Sequence, residues 1–276
     1  MSSSSRPPQA GAPGAAVLLT WFVPGAGHLY LGRPVFALMA FVIVEGLYLL
    51  GLHFSAGMGF EFLQEELRGP FTPALAPEAG NLGGFLWQMR EYGYGMPFPR
   101  AFPSSMHLGV TLTAASGVVN ACLMVQANLD ARRPRAERPS LRSPALAVLL
   151  AWLVPGLGHA VQGRRLRGAM VFLMLVGMLT LGTTLAQGAN LSREMHFYYW
   201  GGQFMSGLPA MALDAIHGHQ RVQSFAPYAE AGLVIASVGG LLNIMAMLDV
   251  FGYSDERLGA ADSPATGEPA EVEAAA

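Results

Sequence analysis

The chain has 276 residues, 52% of them hydrophobic and 12% charged, with a formal net charge of −2. Soluble domains carry about 25% charged residues, so the low charge and a mean hydropathy of +0.38 assign the apolar excess to lipid and exclude disordered, collagen-like and coiled-coil classes. The near-neutral balance offers no basic surface for nucleic acid, and the lone Cys122 excludes a disulfide framework or a Cys-based metal site.

Residues 1–14, with Ser2 to Ser5, Pro7, Pro8 and Pro13, read as a disordered N-terminal tail rather than a signal peptide. Four segments are then long enough to span a bilayer: Val35 to Leu52, Met106 to Ala127, Ala169 to Ala186 and Ala229 to Phe251. Each supplies the ~20 apolar residues that ~30 Å of hydrocarbon requires at 1.5 Å per residue. Two further apolar stretches, Ala15 to Leu31 and Ala147 to Gln162, are broken by Pro24 and Pro155 after about half a membrane thickness. From Ser254 the sequence turns Ala-rich and acidic, and reads as a second disordered tail, 254–276.

The two broken stretches are copies of each other. Residues 17–33 align without gaps on 148–164, with eleven of seventeen positions identical. Downstream, Gly117-Val-Val-Asn120 matches Gly240-Leu-Leu-Asn243, and Tyr94-Gly95-Met96-Pro97 resembles Ser206-Gly207-Leu208-Pro209. The expected organisation is two tandem repeats, 15–129 and 144–253, joined by an Arg-rich linker, 130–143.

All sixteen basic residues are Arg, and their placement selects a topology. If each broken stretch dips in and returns, the linker cluster, Arg33, Arg164, Arg165, Arg167 and both tails share one side. That gives eleven Arg inside and five outside, namely Arg68, Arg90, Arg100, Arg193 and Arg221. The positive-inside rule prefers this division. The fold class expected is therefore an all-α integral membrane protein of two parallel repeats, each a half-inserted segment plus two transmembrane helices, with both termini cytoplasmic. Six full crossings, with inverted halves, are the alternative. The loops 53–103 and 187–227 then face outside. Their aromatics, Trp87, Tyr92, Tyr94, Phe197, Tyr198, Tyr199 and Trp200, suit the membrane interface, with a short helix expected at Phe60 to Arg68.

The motif P-G-x-G-H-x-x-x-G-R occurs twice, as Pro24, Gly25, Gly27, His28, Gly32, Arg33 and as Pro155, Gly156, Gly158, His159, Gly163, Arg164. Pro breaks the helix, the glycines permit tight turns, and each His either caps exposed carbonyls or joins its copy in a metal or proton site. Glu45 is the acid in the middle of a span, where a carboxylate costs ~2.5 kcal/mol or more. It either has a function of its own or bonds Asn120 or Asn243; its position in the second copy is Val176. Asn120 and Asn243 read as hydrogen-bonding glue between helices. Asp249 reads as a solvated helix end. His217 and His219, near Asp214 and His196, read as a surface loop rather than a metal site. No nucleotide-binding, hydrolase or metalloprotease motif is present, so no enzyme class, cofactor or metal is expected.

At these P-G-x-G-H and G-R residues the sequence resembles a group of bacterial multi-pass membrane proteins of unknown function, similar to two-transmembrane-domain proteins. They share an apolar helix, a Pro-Gly-x-Gly turn, a Tyr-x-Gly and a second helix. Tyr30-Leu31-Gly32 fits that pattern, and Val161-Gln162-Gly163 departs from it. The resemblance implies topology and carries no catalytic residues. The expected function is a non-enzymatic inner-membrane scaffold or accessory subunit, in contact with the bilayer, with anionic lipids at the Arg linker and with a membrane-protein partner. A small transporter or channel using Glu45 and the Asn120/Asn243 pair is the alternative.

Overall fold

The computed structural model describes residues 11–63, 65–69, 75–95, 100–132, 144–217 and 227–262, with side chains described up to 253. The linker residues 133–143, the residues Met96 and Pro97, the sequence from 218 to 226, and the tails 1–10 and 263–276 lie outside them. The described residues are all-helical: α1 (Pro13–Phe22), α2 (Ala26–Tyr30), α3 (Pro34–Ser55), α4 (Leu82–Glu91), α5 (Met106–Arg132), α6 (Pro144–Leu153), α7 (Leu157–Val161), α8 (Arg165–Leu185), α9 (Phe197–Phe204), α10 (Leu208–His217) and α11 (Ala229–Asp262).

Four of these, α3, α5, α8 and the Ala229–Tyr253 part of α11, are long and apolar enough to cross a membrane, with mean hydropathies of 1.8 to 2.3. The chain is a multi-pass membrane protein. Each span outruns its sequence bounds by a few residues. α8 starts at Arg165 because Arg and Leu continue a helix as well as an apolar run does. α11 runs to Asp262, through the start of the expected disordered tail, for the same reason. α5 continues through Asp130, which therefore belongs to the helix and not to a linker.

Small residues set how the spans pair. A β-carbon on Gly51 of α3 would lie 2.7 Å from the carbonyl oxygen of Gly109 in α5, and one on Gly182 of α8 would lie 2.7 Å from that of Gly232 in α11. Without side chains at these crossings the backbones touch, which is how helices associate where apolar burial gives no drive against lipid. Ser55 at the end of α3 meets Gly109 near the start of α5, so the two run antiparallel.

The broken stretches form hairpins. α1 begins beside Leu31, with Ala16, Leu31, Ala127 and Ala131 in one buried cluster, and ends where Asn120 reaches the carbonyl of Thr20. Along α5 that is a descent of about ten residues, or ~15 Å. The chain then turns, and Arg33 returns to Asp130 at the end where α1 began. α6 and α7 repeat the geometry against α11.

The long connections pack as layers of their own. The helix expected over Phe60 to Arg68 is absent, leaving a single 3-10 turn at Glu65–Leu67. Phe60 and Leu63 are drawn inward onto Phe85 and Phe197, and the Arg68 guanidinium donates to the carbonyls of Leu63 and Glu61 at 2.8 and 3.1 Å in place of helical amides. Of the expected interfacial aromatics, Phe197 and Trp200 are buried, whereas Trp87, Tyr198 and Tyr199 are exposed. Ala114 and Val118 of α5 pack with Trp152, Trp200 and Phe204, which joins the two halves.

Candidate functional site

Each part of the motif has a local structural cause. Val23-Pro24-Gly25-Ala26 is a type II turn. The Ala26 amide donates to Val23 O at 2.9 Å, Pro24 occupies the position its fixed φ suits, and Gly25 adopts φ +82°, which a side chain resists. Val154-Pro155-Gly156-Leu157 repeats it, at 3.0 Å and φ +85°. Gly27 and Gly158 lie against the first helix of each hairpin: a β-carbon there would sit 2.1 Å from Ala16 O and 2.4 Å from Ala147 O. Gly32 and Gly163, at φ +75° and +87°, close the second helix in a Schellman motif. The amides of Arg33 and Arg164 donate back to His28 O and His159 O, both at 2.9 Å.

The two Arg side chains then pin the hairpins. Arg33 pairs with Asp130, whose other oxygen accepts from Gln126 Nε2 at 2.8 Å, and its guanidinium lies 4.5 Å from the Phe36 ring centroid. Arg164 pairs with Asp249 at 2.7 Å and lies 4.5 Å from the Tyr253 ring. The acid has shifted by one helical turn between the two sites. Gly117 and Asn120 correspond to Gly240 and Asn243, so Gln126 and Asp130 in α5 correspond to Asp249 and Tyr253 in α11. One turn along a helix returns a side chain to the same face, so either position can meet the Arg.

His28 and His159 do not cap carbonyls, because backbone amides already hold them. His28 is fully buried beside the Phe36 ring, with neither nitrogen bonded among the described residues. Burial pulls its pKa down to about 4, with Asp130 opposing and Arg33 assisting. His159 Nε2 lies 3.0 Å from Asp249, and burial likewise lowers its pKa, helped by Arg164. Asp249 is thus no free helix end: Arg164, Arg167 at 2.8 Å and His159 converge on it. The imidazoles sit in separate hairpins with separate neighbours.

Asn120 and Asn243 are each fully buried and bond backbone rather than Glu45. Asn120 Nδ2 donates to Thr20 O at 2.9 Å and to Gly80 O at 3.0 Å; Asn243 Nδ2 donates to Ala151 O at 3.1 Å and to Met205 O at 2.8 Å. Each amide fastens a hairpin tip to a segment arriving from the opposite end of the spans. In the first half this is the 3-10 turn Pro77–Gly80, packed so closely that a β-carbon on Gly80 would lie 2.2 Å from Gly117 O. Gly240 against Gly202 is the matching approach at 2.0 Å. The pairing of Gly95 with Gly207 does not hold. Gly207 abuts Trp152 O and Leu153 O, as Gly83 abuts Phe22 O, whereas Gly95 meets Glu61.

Glu45 bonds Asn81, at 3.2 Å, rather than either of the other two Asn side chains. Asn81 also caps α4, accepting from the Gly84 amide at 3.3 Å. His217 ends helix α10 rather than lying in a loop, and His219 lies outside the described residues. Asp214, one turn before it, has its pKa raised to about 6 by burial. Among the described residues no three His, Cys, Asp or Glu side chains gather as a metal site would need.

One polar pair escaped the sequence reading. Glu78 and Arg193 are each about 1% exposed and bond at 2.7 Å across the two halves, and Thr113 Oγ1 donates to the same Glu78 oxygen at 3.0 Å. The rings of Phe60, Phe62, Phe197 and Trp200 surround the Arg193 guanidinium at 4.7 to 5.9 Å. Arg193 is one of the five Arg residues expected on the outer side, and its burial within the protein leaves that expectation untouched. It can leave water because the aromatic faces and Glu78 replace the hydration it gives up. No local pattern marks it, although four aromatics in Phe197 to Trp200 beside an Arg were a usable hint.

A family model matches residues 15–138 and again 146–260, described as a family of unknown function, DUF6677. The chain belongs to this family. The two matched segments cover most of the DUF6677 chain, and each contains one hairpin and two spans. No curated protein and no solved structure shows significant similarity to it.

Proposed function

We propose that this DUF6677 protein is a non-enzymatic multi-pass protein of a bacterial inner membrane, acting as a scaffold or accessory subunit of a membrane complex. The observation that carries this reading is where its buried polar groups go. Asn120, Asn243, Arg33, Arg164 and the Glu78–Arg193 pair each reach a backbone or ionic partner within the fold, which supports a helix-fixing role for this polarity over one in lining a route between the halves. Transport through Glu45 and the Asn pair is the weaker reading, since these residues bond different partners.

The finer architecture belongs to the same proposal. The chain is two tandem parallel repeats with four full crossings; each hairpin enters to mid-membrane and returns, and both termini lie in the cytoplasm. Support comes from the 131-residue offset that relates Gly25, Gly27 and Arg33 to Gly156, Gly158 and Arg164, and from the eleven-to-five division of Arg. The Arg-rich linker would face anionic headgroups. In-membrane crosslinking followed by identification of the adduct tests the scaffold role, with a defined protein partner expected. Vesicles reconstituted with wild type and with Glu45→Gln should show equal proton and solute flux, at the level of protein-free vesicles. A flux that needs the protein and falls in the variant overturns the proposal.

A further inference from the structure

Beside Glu45 a crevice of about 280 Å³ opens between the α1 tip, α3 and α4, walled by Phe22, Phe41, Leu49 and Trp87. Its size falls near the lower end of small-molecule sites, which run ~300–1,000 Å³. The mouth faces sideways: Phe41, Leu49 and Trp87 are 43 to 55% exposed, and Glu45 stands midway along a spanning helix, so the opening meets hydrocarbon rather than water. One carboxyl oxygen accepts from Asn81, and the other has no partner among the described residues. A half-satisfied acid at this depth is costly, and the fold leaves room beside it that a side chain could have filled. The corresponding residue of the second half is Val176, so the feature is not demanded by the architecture.

The chemistry of the opening narrows the occupant. Its walls are mostly apolar, and the Tyr48 hydroxyl that borders it is already bonded to Gln88. Beside the Trp87 indole N–H, its one ionisable group without a full set of partners among the described residues is the Glu45 carboxyl, which accepts when ionised and both donates and accepts when protonated. An ammonium only donates, and an ionised acid only accepts and would repel Glu45. Either ion would also shed its hydration at the bilayer centre, which neutral groups avoid. A hydroxyl both donates and accepts, is uncharged, and matches Glu45 in either state. We propose that this crevice binds a neutral lipid-phase molecule with a hydroxyl headgroup, its hydroxyl bonded to Glu45 and its chain lying between Phe41, Leu49 and Trp87. The site goes beyond the scaffold reading and stands or falls separately from it.

Trp87 gives the readout, because bromine quenches indole fluorescence on contact. The full-length protein in bromine-free nanodiscs would be titrated with 9,10-dibromo-octadecanol, and in parallel with the matching alkane, amine and carboxylic acid. The alcohol should quench saturably at a mole fraction at least tenfold below the alkane. Trp87→Phe should remove most of that signal, and Glu45→Leu should bring the alcohol down to the alkane. Equal quenching by alcohol and alkane, an alcohol response that survives Glu45→Leu, or a preference for the amine or the acid would each overturn the proposal. If Glu45→Leu does not fold, the wild-type comparison of the four probes decides alone.

Discussion

Arg193 and Glu78 show how much a single buried pair can hold. Each charge has left water, and each is tolerable only because the other is 2.7 Å away and four rings enclose the guanidinium. Arg193→Met strands the Glu78 charge and should cost about 3–5 kcal/mol, read as a large fall in the thermal unfolding midpoint in micelles. Adding Glu78→Gln should restore most of the loss, because the stranded charge is then gone. At His28 the folded state keeps the imidazole neutral, with its pKa pulled to about 4 from an ordinary 6.5. Between those values the unfolded chain binds the extra proton, so stability is full above pH 6.5 and falls on acidification toward pH 4, by about 3 kcal/mol in all. Unfolding midpoints across that range should show the slope, and His28→Leu should flatten most of it. Neither residue's role was legible in sequence. A His in a motif looks like a ligand or a cap until the backbone amides are seen to occupy the carbonyls, and Arg193 stands 115 residues from its partner.

At the level of elements, glycines decide which helices can touch. Gly51 and Gly46 lie on the same span, yet a β-carbon at Gly51 would meet Gly109 O and Thr113 within 2.7 Å, while at Gly46 nothing lies within 4 Å. Gly51→Ala should therefore destabilise by roughly 1–3 kcal/mol through overpacking, whereas Gly46→Ala should be neutral or stabilising by up to ~1 kcal/mol. Thermal unfolding of the two variants side by side checks both signs. The spans themselves were legible because ~20 apolar residues have few other uses. The hairpin breaks were also legible, since Pro24-Gly25 and Pro155-Gly156 leave a helix no way to continue. The missing helix at 60–68 was not. Local pattern favoured it, and the inward pull of Phe60 and Leu63 onto residues far along the chain overrode that preference.

For the whole molecule, the proposed topology rests on the eleven-to-five Arg division and makes a definite prediction. Reporter fusions after residues 34, 137 and 165 should all lie in the cytoplasm, and those after 80 and 210 outside; a reporter outside at 165 and inside at 210 would require inverted halves. The halves are joined by apolar packing of Ala114 and Val118 on Trp152, Trp200 and Phe204, and by the Glu78–Arg193 pair. By itself the sequence determined that the protein lives in lipid, that it has four segments long and apolar enough to span it, and that two hairpin motifs recur, because hydropathy, proline and glycine act over short distances. Only the tertiary structure decided where the polar groups are spent. Asn120 goes to Thr20 and Gly80, Glu45 to Asn81, and Arg193 to Glu78, because in a medium without water these buried polar side chains gain most from a partner close in space, whatever its distance along the chain.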